Sequence, residues 1–474
     1  MENILIKIPE HAENIIKKLQ KNGFSAYVVG GCVRDTMQGK QPHDWDICTS
    51  ALPDDVMRIF ADEKVIPTGL KHGTVMLVTG GGADRSPYCE DRDSYEAFEI
   101  TTFRSEGGYS DGRHPDNVSF VDDINDDLSR RDFTVNAMAY SPGVGLTDPF
   151  GGRDDLKAGI LRCVGDPDER FREDALRILR ALRFMSEKSL DPEPETEAAI
   201  RRDYRLLSLV SQERITEEFI KFMCGERAAA LLDDYREVFC FIIPELEPMI
   251  GFDQRSPYHN RDVWHHTLCA VEDIPAMPVF RLTMLFHDIA KPVVCVIDDN
   301  GRGRFQGHPA KGAEMTAVIL RRMKLPKKMI EHIVTLIKYH DLKIRQERAD
   351  VRRWLGRLGR QIFDELMYVR HADASGKYEK YLGEAESKNA ALASLRDDII
   401  ASGDCTDLRS LAVNGADVAA AGMSGEAIGS VLNALLEAVI TDRIPNERKA
   451  LLNEIENIKK NVNVKNRLSA SAGR

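Results

Sequence analysis

The residues best suited to chemistry form the pattern G-G-x-x-R, followed ten positions later by D-x-D. The pattern consists of Gly30, Gly31, Arg34, Asp44 and Asp46. In a β-strand both aspartates project from one face, so their carboxylates need positive charge between them. Mg²⁺ takes one or two carboxylates plus substrate phosphates, glycine lets the backbone approach a bulky anion, and arginine binds phosphate oxygens. The spacing therefore predicts metal-assisted chemistry on a nucleoside triphosphate.

A third carboxylate, Glu99, lies in the predicted strand Tyr95–Phe103. If the first part of the chain forms one sheet, Glu99 lies near the paired aspartates. There it would complete the metal site or accept a proton. On position alone, a solvent-facing side chain is an equally good interpretation.

The sequence RRDFTVNA places two arginines, an acid and an amide ahead of an apolar run. Arg131, Asp132 and Asn136 suit contacts with a triphosphate and a ribose, because arginine binds phosphate in bidentate geometry. The alternative is a helix start with charged caps.

The sequence EDALRILRALRF predicts an amphipathic helix. Asp174, Arg177, Arg180 and Arg183 fall on the half of this helix opposite its apolar stripe. An aspartate acceptor beside an arginine donor matches the amino group and ring nitrogen of cytosine and adenine and mismatches guanine and uracil. A site built on hydrogen bonds rejects the wrong pattern strongly. The pair Asp174 and Arg177 thus indicates base recognition without a nucleic-acid template; an exposed charge ladder is the alternative.

Histidines and aspartates recur in the order H…HD…H…H…D between residues 262 and 373. The sequence contains His266, His287, Asp288 and Asp373 in this series, together with His308 and His340. Imidazole and carboxylate ligands suit transition metals and metal-activated water. Helix packing would explain any one of these residues, but the ordered series favours a metal site.

Composition is that of an ordinary soluble protein, with 474 residues and a formal net charge of −11. The length predicts several domains, and no apolar run approaches a membrane span. We expect no membrane partner, and the absence of a signal-peptide pattern and nine scattered cysteines favour a cytoplasmic location. A nucleic acid would have to bind local basic clusters, since the chain as a whole is acidic.

Strand signals lie between residues 24 and 140, and helical patterns dominate from Asp166 onward. We therefore predict an α+β fold, in which a head with a mixed sheet precedes a long helical remainder. The predicted strands are Ala26–Gly30, Asp44–Cys48, Thr74–Val78, Tyr95–Phe103 and Val118–Val121. Gly80–Asp93 is predicted as a hairpin loop and Ser105–Pro115 as a second loop.

Several motifs resemble the class II tRNA nucleotidyltransferases, that is, the CCA-adding enzymes and the bacterial poly(A) polymerases. The motifs that carry the resemblance are GGCVRD, DWD, GLKHGTV (Gly69–Val75), EITTFR (Glu99–Arg104), DGRHP (Asp111–Pro115), RRDFTVNAMAY, DPFGGRDDL (Asp148–Leu156), EDALRILRALRF and RITEEF (Arg214–Phe219). Residues 262–373 resemble an HD-type phosphohydrolase domain. The resemblance implies a nucleotidyltransferase head at 1–150, a helical neck at 151–250, an HD-type domain at 251–375 and a helical tRNA-binding tail at 376–474.

The resemblance also implies roles for the residues. Asp44 and Asp46 would bind two Mg²⁺ ions and align the RNA 3′-hydroxyl. The residues implied in nucleotide binding are Gly30, Gly31, Arg34, Arg131, Asp132, Asn136, Asp174, Arg177, Arg180 and Arg183. The HD segment would bind Ni²⁺, Co²⁺ or Mn²⁺ through His266, His287, Asp288 and Asp373.

The predicted activity is template-independent addition of CMP and AMP to the 3′ end of tRNA from CTP and ATP, by a monomer or homodimer. One alternative is a poly(A) polymerase or an enzyme that adds only CC or only A. A metal-dependent phosphohydrolase with an RNA-binding head and a non-catalytic tRNA-binding protein are further alternatives, and the intact D-x-D argues against both.

Overall fold

The computed structural model describes residues 6–79, 96–108, 117–256, 261–377 and 379–471, without the side chains of residues 379–380 and 461–471. The chain divides into two compact units, Met1–Pro244 and Glu245–Arg474. Within the described residues, no helix is both long and apolar enough to cross a membrane.

The first unit is built on a seven-stranded mixed sheet with the strand order β3-β4-β5-β2-β1-β8-β9. Its strands are β1 (Ala26–Val29), β2 (Ile47–Thr49), β3 (Lys64–Gly69), β4 (Thr74–Thr79), β5 (Glu96–Thr102), β8 (Ala139–Ser141) and β9 (Gly145–Thr147). Two further pairs are β6 (Arg104–Gly107) with β7 (Asn117–Phe120), and β10 (Ile160–Leu161) with β11 (Asp191–Pro192). The predicted mixed-sheet head is confirmed.

The helices of the first unit precede, interrupt and follow the sheet. They are α1 (Glu10–Lys21), α2 (Gly31–Met37), α3 (Pro53–Ile59), α4 (Ile124–Ser129), α5 (Gly152–Ala158), α6 (Pro167–Glu173), α7 (Leu176–Lys188), α8 (Pro194–Asp203), α9 (Gln212–Met223), α10 (Ala228–Asp234) and α11 (Arg236–Ile242). Short 3₁₀ turns lie at Leu70–His72, Thr134–Asn136 and Tyr204–Leu209. The apolar face of α1 packs into the same core as β1, β2, β4 and β5, which holds one side of the sheet.

The second unit is helical, as predicted for the remainder of the chain. Its helices are α12 (Val263–Asp273), α13 (Pro278–Phe286), α14 (Lys291–Val294), α15 (His308–Arg322), α16 (Lys327–Tyr339), α17 (Arg348–Ser375), α18 (Glu379–Ala401), α19 (Gly415–Ala420), α20 (Glu426–Ile440) and α21 (Arg448–Ser471). A 3₁₀ turn at Pro244–Met249 precedes them, and β12 (Val296–Ile297) pairs with β13 (Gly303–Arg304) between α14 and α15.

The outcomes of two loop predictions and one predicted strand boundary differ. The predicted loop Gly80–Asp93 lies outside the described residues. The predicted loop Ser105–Pro115 is wrong at its start, because Ser105–Gly107 pairs with β7. The predicted strand Asp44–Cys48 begins at Ile47, so the two aspartates lie just before β2.

Candidate active site and candidate metal centre

The D-x-D segment enters the middle of the sheet. β2 pairs antiparallel with β1 and parallel with β5, in a register that aligns Ile47 with Ile100. The amide of Val29 donates to the carbonyl of Asp46 at 3.0 Å, which continues the ladder one residue before β2. Asp46 and Glu99 are therefore neighbours on adjacent segments of the sheet, as the sequence predicted for a single sheet.

The carboxyls of Asp46 and Glu99 share an electrostatic environment. Both side chains reach solvent, yet the walls of the cleft desolvate them. This desolvation raises the pKa of Asp46; Arg131 opposes the rise and the Asp44 carboxylate adds to it. The pKa of Glu99 is raised by desolvation and by Asp46, and Arg104 opposes the rise. Two carboxylates that repel each other in one cleft, with Asp44 close enough to raise the pKa of Asp46, are donors that suit a divalent cation.

The glycine pair leaves room for an arginine. Gly30 has a φ of +75°, and a Cβ there would lie 2.8 Å from Nη1 of Arg131. Gly31 begins α2, which carries Arg34 one turn further along, and Arg34 is only 5 % exposed. Glycine at position 30 thus provides both the left-handed backbone and the space for the Arg131 guanidinium.

A chain of hydrogen bonds joins α2, the Thr134–Asn136 turn and α7. Arg34 donates to the Asn136 side-chain oxygen, and Asn136 Nδ2 donates to Asp132 Oδ1 at 3.0 Å. The other Asp132 oxygen accepts two bonds from Arg180, at 2.9 and 2.6 Å. Burial alone would raise the pKa of Asp132, but Arg180 and the bond from Asn136 outweigh it and lower the pKa to about 2. These four residues therefore hold one another in place.

Asp174 lies just before α7 and Arg177 lies in its first turn. The predicted helix across EDALRILRALRF begins later than expected, at Leu176, because Asp174 Oδ1 accepts the Leu176 amide at 3.1 Å from a non-helical position. Arg214 of α9 donates to Asp174 Oδ2 at 2.7 Å. Arg177 bonds the Glu173 carboxylate and the carbonyl of Arg130. The two side chains predicted to read a base are thus fixed by neighbours on other elements.

Two cavities gather the predicted nucleotide residues. One, of about 330 Å³, is lined by Asp46, Glu99, Arg131, Asp132, Asp174, Arg177 and Arg180. The other, of about 710 Å³, is lined by Gly30, Gly31, Arg34, Asn136 and Arg183, and it shares Asp46, Arg131, Asp132 and Arg180 with the first. The cavities therefore form one cleft. Asp44 is not among their lining residues; it lies exposed two residues before Asp46.

Sequence reasoning missed three further side chains of this cleft. Phe184 is buried under three guanidiniums, with the Cζ atoms of Arg34, Arg180 and Arg183 between 4.4 and 5.6 Å from its ring centroid. Arg104 lines the smaller cavity. Arg214 orients Asp174. The motifs EITTFR and RITEEF contain the two arginines, but nothing in the sequence indicates which carboxylates they face.

A second constellation lies in the second unit and brings together the predicted HD-type ligands. His266 lies on α12, His287 and Asp288 follow α13, and Asp373 lies on α17. One ligand atom from each of the four lies within 4.8 Å of the others. His266 Nε2 is 3.1 Å from Asp373 Oδ1 and 3.3 Å from His287 Nε2. Two imidazoles and two carboxylates at these distances fit a divalent transition ion.

The ionisation of the two carboxylates supports the same fit. Burial would lower the pKa of His287, but Asp288 and Asp373 outweigh it and raise the pKa to about 9, so an ion that binds Nε2 displaces a proton. His287 Nδ1 donates to the carbonyl of Met284 at 2.7 Å, so Nε2 faces the cluster. Burial alone would raise the pKa of Asp288, but His287 and Lys291 outweigh it and hold the pKa well below the usual range. Asp373 is held low in the same way, mainly by Lys377. Both carboxylates are therefore ionised, as metal ligands must be.

Comparisons with known proteins agree with this organisation. Three family models match: the poly A polymerase head domain at residues 26–162, the probable RNA and SrmB-binding site of polymerase A at 189–250, and a putative tRNA nucleotidyltransferase domain 2 at 311–455. The CCA-adding enzyme of Lactiplantibacillus plantarum is 32% identical over 462 residues, which cover 95% of this chain and 97% of that enzyme. The CCA-adding enzyme of Lactobacillus helveticus is 46% identical over 222 residues, or 46% of this chain. The match spans about half of that enzyme, 52% of its length.

Among solved structures, the Bacillus stearothermophilus CCA-adding enzyme in complex with CTP superposes with a TM-score of 0.69 at 28% identity, over 97% of this chain and 100% of that one. A mixed-sheet head with a D-x-D cleft, followed by helices, is the organisation of the nucleotidyltransferases. Within that class, the near end-to-end match with the Lactiplantibacillus plantarum protein shows that this chain belongs to the CCA-adding enzyme family. Membership of this family implies a divalent metal ion in the head.

Proposed function

We propose that the head adds CMP and AMP to the 3′ end of tRNA, with CTP and ATP as donors and pyrophosphate as the leaving group. The convergence of Asp46, Arg34, Arg131, Asp174 and Arg177 on one cleft carries the proposal. The Bacillus stearothermophilus CCA-adding enzyme, which this chain resembles in structure, was solved in complex with CTP, and this supports a nucleoside triphosphate as the ligand of the cleft. We propose that the protein is cytoplasmic and acts as a monomer or a homodimer.

The carboxylates of the cleft would hold the divalent ions. Asp44 and Asp46 are the proposed ligands of two Mg²⁺ ions, which would neutralise charge on the attacking and leaving oxygens of an in-line displacement. Glu99 would complete this acidic face or accept the proton of the 3′-hydroxyl. Arg34 and Arg131 would bind the triphosphate where the glycine pair leaves space.

Asp174 and Arg177 would select the base. An acceptor beside a donor pairs with the amino group and ring nitrogen of cytosine or adenine, and leaves half-buried polar groups unpaired against guanine or uracil. Arg214 orients the Asp174 carboxylate, and Glu173 orients the Arg177 guanidinium. Arg180 and Arg183 would support them through Asp132, Glu218 and Phe184.

Sequencing of product ends tests the proposal. Purified protein is given a tRNA that lacks CCA, with each nucleoside triphosphate alone and then with all four. Addition of C, C and A in that order is the expected result. A long run of A would indicate a poly(A) polymerase, and addition of only CC or only A would indicate a partial enzyme. No addition in Mg²⁺ would contradict the proposal.

We infer a second activity for the second unit, in which a divalent transition ion on His266, His287, Asp288 and Asp373 promotes hydrolysis of a phosphate ester. The observation that favours it is the 4.8 Å clustering of these four ligand atoms. Ni²⁺, Co²⁺ and Mn²⁺ are the proposed ions, because mixed imidazole and carboxylate sites suit them. A 2′,3′-cyclic phosphate or a phosphomonoester at an RNA end is the proposed substrate.

Assays of 2′,3′-cAMP and p-nitrophenyl phosphate with each of the three ions test this activity. Metal analysis of protein purified without chelator accompanies them. We expect bound metal and turnover with at least one ion. No bound metal together with no turnover would assign the cluster to helix packing.

A further inference from the structure

A pair of hydroxyl groups lies in the smaller cavity of the head. Thr74 of β4 and Thr101 of β5 are directly opposite each other on neighbouring strands, and their Oγ1 atoms lie 3.1 Å apart. Both side chains of this threonine pair line the cavity and are half-buried. The carboxylates, arginines and amide assigned to the nucleotide and its ions include neither of them.

The threonine pair has unused hydrogen-bonding capacity. A threonine hydroxyl donates one hydrogen and accepts at two lone pairs. The hydrogen bond between Thr74 and Thr101 uses one of their two hydrogens, and in the described part of the chain neither hydroxyl has a further partner. One donor hydrogen and several lone pairs therefore remain for a ligand in the cavity. Most other side chains that line the cavity are charged, whereas these two neutral groups suit the neutral hydroxyls of a sugar.

The threonine pair lies beside the carboxylate proposed to accept the proton of the attacking hydroxyl. Glu99 and Thr101 are two positions apart in β5, so their side chains project from the same face of the sheet, about 7 Å apart along the strand. Asp46 lies next to Glu99 on the adjacent segment of the sheet. A ribose whose 3′-hydroxyl faces these two carboxylates can therefore place its 2′-hydroxyl, on the adjacent carbon, at the threonine pair.

The direction of attack assigns this ribose to the tRNA. Asp46 lines both cavities, Arg34 lines only the larger one, and Glu99 and the threonine pair line only the smaller one. In an in-line displacement, the attacking and leaving oxygens lie on opposite sides of the phosphorus atom. With the departing pyrophosphate on the side of Arg34, the 3′-hydroxyl of the tRNA approaches from the side of Glu99.

We propose that the threonine pair binds the 2′-hydroxyl of the 3′-terminal ribose of the tRNA and so selects an RNA end over a DNA end. This assignment rests on the nucleotide addition proposed above and deepens it. A 2′-hydroxyl both donates and accepts, which matches the free hydrogen and lone pairs of the two threonines, and it is the group by which a protein tells RNA from DNA. The ribose of the incoming nucleotide lies elsewhere in the cleft, beside Asp132 and Asn136.

Addition of CMP to two forms of one tRNA tests the assignment. Both forms lack CCA and carry a 3′-hydroxyl, but the last nucleotide has either a 2′-hydroxyl or a 2′-hydrogen. We expect the parent protein to prefer the ribose end. Thr74→Val/Thr101→Val replaces each hydroxyl by a methyl group of similar size. It should lower the ratio of the two kcat/KM values by about fivefold, the order of one neutral hydrogen bond, by slowing addition to the ribose end alone.

Two control variants accompany this comparison. Thr74→Ser/Thr101→Ser keeps both hydroxyls and should keep the parent ratio. Thr68→Val removes a hydroxyl from an exposed position of β3 and should also keep it. Because the 2′-hydroxyl also affects the reactivity of the neighbouring 3′-hydroxyl, the change in the ratio between variants is the decisive quantity. If the double valine variant does not fold, Thr101→Val alone provides the same comparison.

Incorporation from CTP and from 2′-deoxy-CTP separates the two riboses. The preference for CTP should be the same in the parent protein and the valine variant. A change in this preference, with an unchanged preference for the tRNA end, would overturn the assignment and give the pair to the incoming nucleotide. An equal fall of kcat/KM on both tRNA ends would overturn it too, since the pair would then only support the sheet. Equal kcat/KM values for the two ends in the parent protein would have the same consequence. No addition to either end by the parent protein would overturn the proposed nucleotide addition itself.

Discussion

At the scale of single residues, the cleft of the head is defined by charges that oppose one another. Asp46 and Glu99 lie side by side on adjacent segments of the sheet. Burial raises the pKa of both carboxyls, and a neighbouring carboxylate adds to each rise: Asp44 for Asp46, and Asp46 for Glu99. Arg131 lies beside them in the space left by Gly30. A site with carboxylates and arginines side by side suits a ligand that carries both positive and negative charge. A complex of a metal ion with a triphosphate is such a ligand.

Asp44→Asn and Asp46→Asn should each lower the rate of nucleotide addition by at least about a thousandfold, because loss of a metal ligand removes several kcal/mol of transition-state stabilisation. The measurement is kcat for CMP incorporation in Mg²⁺, with circular dichroism to show that the fold is intact. Asp122→Asn, at an exposed position of the same unit, is the control and should match the parent protein. Near-normal incorporation by either variant would remove that residue from the mechanism.

Asp174→Ala and Arg177→Ala should change nucleotide choice more than tRNA affinity. We expect the preference for CTP and ATP over UTP and GTP to fall by about tenfold or more, because the discriminating hydrogen bonds are lost. The measurement is kcat/KM for the four nucleotides together with the Kd for tRNA. Arg172→Ala, an exposed arginine of α6, is the control. If tRNA binding weakens while the nucleotide ratios stay constant, this part of the molecule binds RNA and does not read the base.

At the scale of elements, the cleft depends on how α2, the Thr134–Asn136 turn and α7 are tied together. Arg34, Asn136, Asp132 and Arg180 form a continuous chain of hydrogen bonds across these three elements. A helix start and a turn are thereby held at fixed positions relative to the sheet. Substitutions that break this series of hydrogen bonds should therefore affect both the stability of the fold and nucleotide binding.

Asp132→Asn should destabilise the fold in a pH-dependent way. The pKa of Asp132 is about 2 in the folded chain, against about 3.9 for an unfolded aspartate. A lowered pKa stabilises the fold fully above about pH 4, by about 2–3 kcal/mol, and this contribution is lost as the pH falls through 2. About half of it should be gone by pH 3.

Urea unfolding of parent and Asp132→Asn proteins at pH 7, 5, 4 and 3 measures this effect. The difference between their free energies of unfolding should be largest at pH 7 and shrink below pH 4. Asp122→Asn should show no such trend. A difference that stays constant with pH would mean that Asp132 is not held ionised by Arg180.

Gly30→Ala should impair nucleotide binding in addition to stability. Both Gly30 and Gly39 have a positive φ, but a Cβ at position 39 meets nothing within 4 Å, whereas one at position 30 meets Arg131 at 2.8 Å. Both variants should lose about 1 kcal/mol of stability from backbone strain. Only Gly30→Ala should also raise the KM for CTP and ATP, by about tenfold at the loss of about 1.4 kcal/mol of binding. Equal KM values in the two variants would show that the position of Arg131 does not matter.

At the scale of the whole molecule, the two constellations lie in different compact units, each with its own packed interior. The cleft of the head uses carboxylates and arginines, which suit Mg²⁺ and phosphates. The cluster of the second unit uses imidazoles and carboxylates, which suit transition ions. The two activities should therefore respond to different metals and to different mutations.

His287→Ala should lower phosphate-ester hydrolysis by at least about a hundredfold, because an ion ligand is lost, and should leave CMP and AMP addition within about twofold. Asp46→Asn should do the reverse. The measurement is both activities on the same preparations, with thermal unfolding as a check of folding. Loss of both activities in both correctly folded variants would contradict two independent sites.

The amino-acid sequence by itself determined the kinds of chemistry and much of the fold. Predicted strands overlap β1, β2, β4, β5 and β7, because runs of apolar residues with β-branched members are a local signal. β3 was missed because its residues are mostly exposed, and β8 and β9 because three residues are too few to show a period. The glycine pair, D-x-D and the histidine series each carry their chemistry in residue type and spacing.

The tertiary structure decided which of these residues meet. Parallel pairing of β2 with β5 brings Asp46 beside Glu99, 53 positions later in the sequence, and packing of α9 on α7 gives Asp174 its partner Arg214. The same holds for His308 and His340, whose relation to Asp288 depends on the packing of helices that lie far apart in the sequence. Local patterns report periodicity and chemical type, whereas distances between remote residues follow from sheet order and helix packing, which no short stretch of sequence encodes.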